Sequence, residues 1–301
     1  MKSKMNAVPP GWFRRWYLRP AVYTCAILNS QPMGFYPPAQ LVQDARRHGV
    51  EVRPIDVGVG GWDCSLEGSP PALRLGLRMV KGLSRAGAER ITAARPFRDV
   101  QDLARRARLN RRDLEALAAA DALRGLCGNR HQARWQVLGI EAPLPLGEMP
   151  ALPEPLPMLR TPTEGEDIVA DYGSLGLTLR RHPLALLRPV LTRLSFQSAR
   201  EVLGLSHGRR AHAAGLVITR QRPGTATGVV FLTLEDETGP LNVIVWSSLF
   251  ERERRIVLGA RLMGVTGEVQ REGEVVHLIA HALEDRTALL GGIETVSRDF
   301  C

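Results

Sequence analysis

The spacing of hydrophobic residues changes once along this chain of 301 residues, near Gly208. Before that point, apolar residues recur mostly at the three-to-four-residue spacing of helices, whereas after it they alternate with polar residues as in half-buried strands. Five alternating runs follow, and one helix-like stretch, SSLFERERRIVL, lies between the third and the fourth. This order predicts a five-stranded OB-fold barrel over 208–287, a fold that binds oligonucleotides or oligosaccharides. SH3-like barrels also have five strands, but they usually lack the helix.

The part before the barrel predicts mainly helices, so the whole chain is predicted to be a multidomain α+β protein. Two helical patterns flank a stiff corner, NSQPMGFYPP, and the run beginning at Ala72 predicts a helix that leads into a tight turn at 81–84. Two more helices follow, split near Asn110, and the proline-dense stretch after them is typical of a semi-rigid linker and marks the clearest domain boundary. The predicted segments are a lead-in (1–20), a helix–corner–strand segment (21–71), a helical region (72–140), the linker (141–163), a helical connector (164–207), the barrel (208–287) and a tail (288–301).

The charge balance narrows the choice of partner. Forty Lys and Arg residues against 31 Asp and Glu give a net charge of +9, and most of the excess is arginine, whose planar fork suits phosphate. Nucleic acid is therefore the first partner to consider and an anionic membrane surface the second, although a genome that favours arginine codons would also explain the charge. No apolar run approaches the roughly 20 residues of a membrane span. The four cysteines are scattered without ligand spacing, which argues against zinc and disulfides and for a cytoplasmic protein.

The turn at 81–87 is a candidate for binding duplex DNA. It resembles a helix–hairpin–helix turn, in which backbone N–H groups at the start of the second helix point at a DNA phosphate. Serine replaces the second glycine of that motif, and it can cap a helix and donate to phosphate. A plain corner between two helices is the alternative. The predicted phosphate-binding residues are Lys81, Gly82, Ser84, Arg85 and Arg90.

The barrel offers candidates for binding a single strand. If the aliphatic residues of the second and third strands fill the core, Phe231 and Trp246 lie on the opposite face, where bases could stack on them. Arg220 and Arg222, beside the first turn, could follow a phosphate backbone. The alternative for Trp246 is that it packs under the following helix, and Phe231 could equally belong to the core.

No catalytic residue and no metal ligand is predicted. Template-directed nucleotide transfer needs carboxylates set close together to hold paired metal ions, and the sequence has no Asp-x-Asp pair. Asp56 and Asp63 stand singly in predicted loops, and the histidines are dispersed. The acidic run 235–237 is predicted to be a solvated hairpin tip rather than a metal cluster.

Several long motifs resemble the bacterial C-family DNA polymerases, which are related to the DNA polymerase III alpha subunit, and within them the error-prone branch. The motifs are LNSQPMGFYPPAQLVQDARRHGVEVRPIDV, LRLGLRMVKGL, PFRDVQDLARRARLNRRDLEALAAADALRGL, DYGSLGLTLRRHPLALLR, RQRPGTATGVVFLTLEDETGPLNVIVW and SRDF. Together they extend over about 21–300. The lead-in before Ala21 does not resemble the family, and VGVGGWDC replaces a more polar run before the Trp-Asp-Cys.

The resemblance implies a C-terminal part of such a polymerase, with a fingers remnant at 21–71, a helix–hairpin–helix region and an OB-fold. It implies duplex and single-stranded template DNA as ligands, translesion synthesis in the damage response, and a sliding clamp and mutagenesis accessory proteins as partners. Mg²⁺ is expected for the full-length family, whose palm carries the metal-binding aspartates; no cofactor is expected for this chain, which is predicted to be inactive alone. The alternative is a non-catalytic remnant or a protein-interaction module that does not bind DNA.

Overall fold

The computed structural model describes residues 20–32, 37–140, 157, 159–223, 228–291 and 298–300. They form two compact units that divide between Leu179 and Arg180. Nearly all of the predicted lead-in, the centre of the NSQPMGFYPP corner, most of the predicted linker and much of the predicted tail lie outside the described residues. The helix after the predicted linker belongs to the first unit. The boundary between the two units therefore lies after this helix and not within the proline-dense stretch.

Helices make up most of the first unit, and side chains cap several of them. Ser84, Asp99, Asn110 and Asn129 each accept a hydrogen bond from a backbone N–H in the first turn of the helix that follows, which satisfies one of the unpaired donors at a helix start. The split predicted near Asn110 is confirmed. The described helices are α1 (Pro20–Asn29), α2 (Pro38–Arg47), α3 (Arg85–Ala94), α4 (Val100–Arg106), α5 (Arg111–Ala119), α6 (Arg124–Cys127), α7 (Arg130–Leu138) and α8 (Glu164–Ser174).

The helix predicted from Ala72 is wrong, because this run is a strand. The strands β1 (Val52–Arg53), β2 (Ser65–Glu67) and β3 (Ala72–Arg74) form a small sheet in the order β1-β3-β2. Leu73 of β3 is fully buried, as are Leu75 and Leu77 after it, and Leu77 begins a short 3₁₀ turn, Leu77–Met79, that precedes the hairpin. A β-carbon built at Gly76 would stand 2.4 Å from the backbone of Trp62, so glycine is needed for this close approach.

The second unit contains the predicted barrel. The strands are β4 (Arg210–Gln221), β5 (Val230–Asp236), β6 (Gly239–Val245), β7 (Leu262–Glu272), β8 (Val275–Asp285) and β9 (Arg298–Phe300), and the helices are α9 (Pro183–Arg193), α10 (Ala199–Leu203), α11 (Ser247–Arg252) and α12 (Arg254–Gly259). The barrel strands pair in the order β5-β6-β8-β7-β4, and β4 pairs with β5 to close the barrel. The β6–β8 pairing is parallel and the other four are antiparallel.

The barrel core follows the predicted alternation. Val230, Leu232 and Leu234 of β5 and the alternate residues of β6 from Leu241 to Val245 are buried. The helix-like stretch between the third and fourth strands forms two short helices, α11 and α12, instead of one. The short strand β9 runs parallel to the end of β4, next to Thr219–Gln221.

The acidic run 235–237 is a hairpin tip, but the prediction that it is solvated is wrong. Asp236 is only 2% exposed. Its carboxylate accepts hydrogen bonds from the N–H of Thr238 at 2.7 Å and of Ala199 at 2.7 Å, and Arg188 of α9 lies 2.9 Å away. Asp236 therefore fixes the β5–β6 turn and two helices that pack beside it.

Candidate nucleic-acid interface

The predicted hairpin turn has the backbone of a sharp corner. Gly82 has a φ of +88°, a conformation that glycine adopts without steric cost. Leu83 is buried. Ser84 caps the N-terminus of α3, where its Oγ accepts a hydrogen bond from the Gly87 N–H at 3.0 Å. The turn therefore places Gly82 at the surface and anchors the next residue in the core.

A buried carboxylate on another helix occupies the start of α3. Asp113 of α5 is 1% exposed, and its two oxygens accept from the Ser84 N–H at 2.9 Å and the Ser84 hydroxyl at 3.1 Å. A β-carbon at Gly87 would stand 2.7 Å from Asp113 Oδ2, so glycine permits this approach. An internal anion thus takes the N–H and hydroxyl donors of Ser84, which the hairpin prediction assigned to a DNA phosphate.

The three cations predicted around this turn differ in what they contact. The ammonium of Lys81 donates to the carbonyls of Tyr172 and Gly173 at 3.1 and 3.2 Å, where a cation is favourable at the end of α8. Arg90 donates to the carbonyl of Ala107 at 2.8 Å, just beyond α4. Lys81 and Arg85 are exposed and Arg90 is half-buried; Arg85, with 72% of its side chain exposed, makes an ion pair with Glu89 one turn away.

The predicted aromatic residues of the barrel face outward. Trp246 is 52% exposed, so it does not pack under the following helix, and Phe231 is half-buried. Phe231 lies between Gln221 of β4 and Ile244 of β6 in the sheet register, beside the polar pair Thr233 and Asn242. The outer face of β5 and β6 therefore combines an aromatic ring with polar groups.

The two predicted barrel arginines have different environments. Arg222 is exposed and its guanidinium lies 4.7 Å from the centre of the Phe250 ring. A β-carbon built at Gly228 would stand 3.1 Å from Ser247 Cβ and 3.8 Å from Arg222 Nη2, so Arg222 lies near the residue that follows Trp246, at one end of the barrel. Arg220, in contrast, is buried and donates to the carbonyls of Val257 and Ala260 at the end of α12. That guanidinium is not available to a DNA backbone.

The described part of the chain was also searched for metal ligands, reactive cysteines and membrane-spanning helices. It contains no group of three or more His, Cys, Asp or Glu side chains that could hold a metal ion. Burial raises the pKa of the Cys64 thiol to about 11 and that of Cys127 to about 11, and both are free. None of the helices in the described ranges has the length and apolar character needed to cross a membrane.

Asp113 and Arg188 are supporting residues that the sequence did not single out. Asp113 stands three residues after Asn110, a spacing that indicates a helix start, but nothing local indicates its contact with Ser84, which is 29 residues away. Arg188 pairs with Asp236 across 48 residues. Such long-range pairs leave no periodic signal.

Two family models match this chain. One is described as a helix-hairpin-helix motif and covers residues 49–133. The other is described as an OB-fold nucleic acid binding domain and covers residues 212–286. The predicted α+β architecture, a helix–hairpin–helix region followed by an OB-fold, is thereby confirmed.

Known proteins with high similarity carry the name error-prone DNA polymerase. Those of Alkalilimnicola ehrlichii, Methylococcus capsulatus and Azoarcus sp. are 59%, 52% and 51% identical to this chain over 287, 305 and 305 residues. The matches cover 93%, 93% and 98% of this chain, but only 28%, 29% and 28% of those proteins. The chain therefore spans less than a third of the length of these relatives. A solved structure of the S. pombe Stn1–Ten1 complex shares 20% identity and covers 26% of this chain and 57% of its own, with a TM-score of 0.22, a likeness too weak to bear on function.

Proposed function

We propose that this chain binds DNA as part of an error-prone DNA polymerase, with the first unit on duplex DNA and the barrel on the single-stranded template. The observation that carries the proposal is the outward placement of Phe231 and Trp246, with the exposed Arg222 at the Trp246 end of the barrel. The similarity to error-prone polymerases and the match to a nucleic-acid-binding OB-fold support it.

Stacking and phosphate contact would act together on the barrel. Bases stack on exposed aromatic rings regardless of sequence, and each such contact contributes roughly 1–3 kcal/mol. A cation beside the rings guides the backbone and makes binding depend on salt. A polymerase that copies many templates needs this tolerance of sequence.

Replacing Trp246 with alanine is expected to weaken binding of a labelled oligothymidine of about 12 nucleotides by roughly 5- to 150-fold, the equivalent of about 1–3 kcal/mol. The exposed indole contributes little to the barrel core, so the fold should be retained. Fluorescence anisotropy measures the affinity, and circular dichroism checks the fold.

Trp135 supplies the matched control, because it is also 52% exposed but lies on α7 of the first unit. Trp135→Ala should leave oligothymidine affinity within about twofold, well below the stacking effect. If both variants lose the same affinity, or if the unaltered chain does not bind even at low salt, the single-strand proposal fails and a remnant or protein-interaction module becomes the better reading.

Nucleotide transfer, translesion synthesis and contacts with a sliding clamp and accessory proteins belong, in this proposal, to the whole polymerase in the cytoplasm. A primer-extension assay with Mg²⁺ and all four nucleotides should show no extension by this chain alone, because its sequence has no Asp-x-Asp pair to hold paired metal ions. Clear extension that survives repurification would contradict this assignment of activity.

A further inference from the structure

The two short helices between β6 and β7 form an open groove at the surface of the second unit. It has a volume of about 790 Å³ and is lined by residues 251–256, 258 and 259, from the end of α11 to the end of α12. This lining is called here the α12 groove. A groove of this size holds a few side chains of a bound peptide or a small ligand.

One face of α12 combines two arginines with a leucine. Arg254 and Arg255 precede Leu258 by four and three residues, a spacing that brings side chains together on one side of a helix. Leu258 is 53% exposed, whereas its neighbour Val257 is fully buried in the barrel core. A β-carbon built at Gly259 would meet nothing within 4 Å, so the groove stays open at the end of the helix.

The two arginines of α12 are not engaged within the protein. Both are exposed, and within the ranges that the structure describes neither guanidinium makes a hydrogen bond or an ion pair. Arg252, at the end of α11, is bound instead, because it pairs with Glu253 at 3.3 Å and donates to the His281 carbonyl at 3.3 Å. The groove therefore presents two free positive charges beside an exposed aliphatic side chain.

A buried arginine makes the end of α12 suitable for an acidic partner. The last carbonyls of a helix carry a partial negative charge, which would repel a carboxylate. Arg220 of β4 donates to the carbonyls of Val257 at 2.6 Å and Ala260 at 2.5 Å, so a positive charge offsets these carbonyls from inside the protein. Arg220 thereby supports the positive charge of the groove without touching a ligand.

These features favour an acidic peptide over a nucleic acid. Carboxylates of a peptide complement the two free guanidinium groups, and an apolar side chain covers Leu258. None of the residues that line the groove is aromatic, so bases have no ring on which to stack. Glu251 and Glu253 also belong to the lining, and like charges at an interface repel. A continuous phosphate backbone would meet both carboxylates, whereas a short peptide can place its own carboxylates against the arginines alone.

We propose that the α12 groove binds a short acidic segment of a partner protein through Arg254 and Arg255, with a large apolar residue of that segment packed on Leu258. Arginine is enriched among the residues that dominate the binding energy of protein interfaces. The groove shares no residue with the outer face of β5 and β6, so the inference stands apart from the proposed binding of DNA.

The test measures binding of a labelled peptide, Asp-Glu-Asp-Leu-Asp-Phe-Leu, to the full chain by fluorescence anisotropy. A dissociation constant below about 100 μM is expected, and it should rise with salt because part of the attraction is ionic. Arg254→Glu combined with Arg255→Glu should weaken binding by about tenfold or more, since both attractive contacts become repulsive. Leu258→Ser should weaken it by about threefold or more through loss of the apolar contact.

The matched control combines Arg46→Glu and Arg193→Glu, two exposed arginines on α2 and α9 with the same total change of charge. Its affinity for the peptide should stay within about twofold of that of the unaltered chain, because salt screens distant charges. A second variant, Arg254→Gln with Arg255→Gln, removes both charges without adding carboxylates and keeps the test valid if the glutamate variant unfolds. An equal loss in the control would overturn the assignment to the groove.

Three further results would overturn the inference. The first is the absence of saturable binding of the peptide at low salt. The second is equal binding of a peptide with alanine in place of its three apolar residues, because the groove would then be a general anion surface. The third is displacement of the peptide by oligothymidine at equal charge, which would assign the groove to DNA. If the peptide binds as expected but the chain binds no DNA, the proposed function fails and this inference stands.

Discussion

Replacing Arg130 with methionine is expected to lower the free energy of unfolding of the first unit by about 3–5 kcal/mol. Arg130 is 2% exposed, and its guanidinium pairs with Asp167 and Asp171 of α8 and donates to the carbonyl of Ala119 at 2.9 Å. Methionine fills much of the volume but removes the positive charge that Arg130 provides to two buried carboxylates. Hydrogen exchange of α7 and α8, with denaturant titration of the whole chain, measures the loss.

Arg160→Met is the matched control for this prediction. Arg160 pairs with Glu166 on the same helix α8, but both side chains are exposed, so water replaces the lost partner and the stability of α8 should hardly change. Combining Arg130→Met with Asp167→Asn and Asp171→Asn should restore part of the stability, since the two carboxylates that lost Arg130 are then neutral amides. Equal losses in the Arg130 and Arg160 variants would show that the buried pairs do not hold α8 in place.

Replacing Asp236 with alanine should destabilise the second unit by roughly 3–5 kcal/mol, because it leaves several buried donors without an acceptor. The donors are the N–H groups of Ala199, Thr238 and Gly239 and the hydroxyl of Thr238, whereas Arg188 keeps its ion pair with Glu237. Urea titration monitored by the exchange of barrel amides measures the effect. DNA binding by the first unit should persist in the variant.

The opposite hairpin supplies the comparison. Glu272, at the end of β7, is exposed and accepts a hydrogen bond from Gln270 at 2.9 Å. Glu272→Ala should change stability by less than about 0.5 kcal/mol, as surface substitutions usually do. A loss of similar size in both variants would mean that Asp236 contributes no more than an ordinary tip residue.

Elements with a periodic hydrophobic pattern or a local capping signal could be predicted from the sequence. The alternation in β5 and β6 placed Phe231 and Trp246 on the outer face, and the capping residue Asn110 marked a helix start. Leu73, Leu75 and Leu77 show the limit of this reasoning. Their alternation is short and sits beside a helical region, so the strand was taken for a helix, and the backbone approach at Gly76 that fixes it has no periodic signal.

Arg220 was misplaced for a reason that no pattern reveals. The register of β4 against β5 shifts between Val217 and Thr219, and a bulge of this kind moves the following side chains to the other face of a strand. Arg220 therefore turns inward to the end of α12. In the hairpin region, the sequence shows which residues are positively charged. It does not show which of them already donate hydrogen bonds within the protein, because the acceptors lie far along the chain, as the Tyr172 carbonyl does for Lys81.

The carboxylate of Asp113 also bears on the thermodynamics of association. Because the start of α3 receives its negative charge from within the protein, this helix start needs no anion from a ligand to complete it. Binding that leaves the fold unchanged should show only a small change in heat capacity, unlike binding coupled to folding. Rising ionic strength should then lower the affinity for DNA while the melting temperature of the first unit stays nearly constant. DNA binding and folding stability would therefore depend differently on salt.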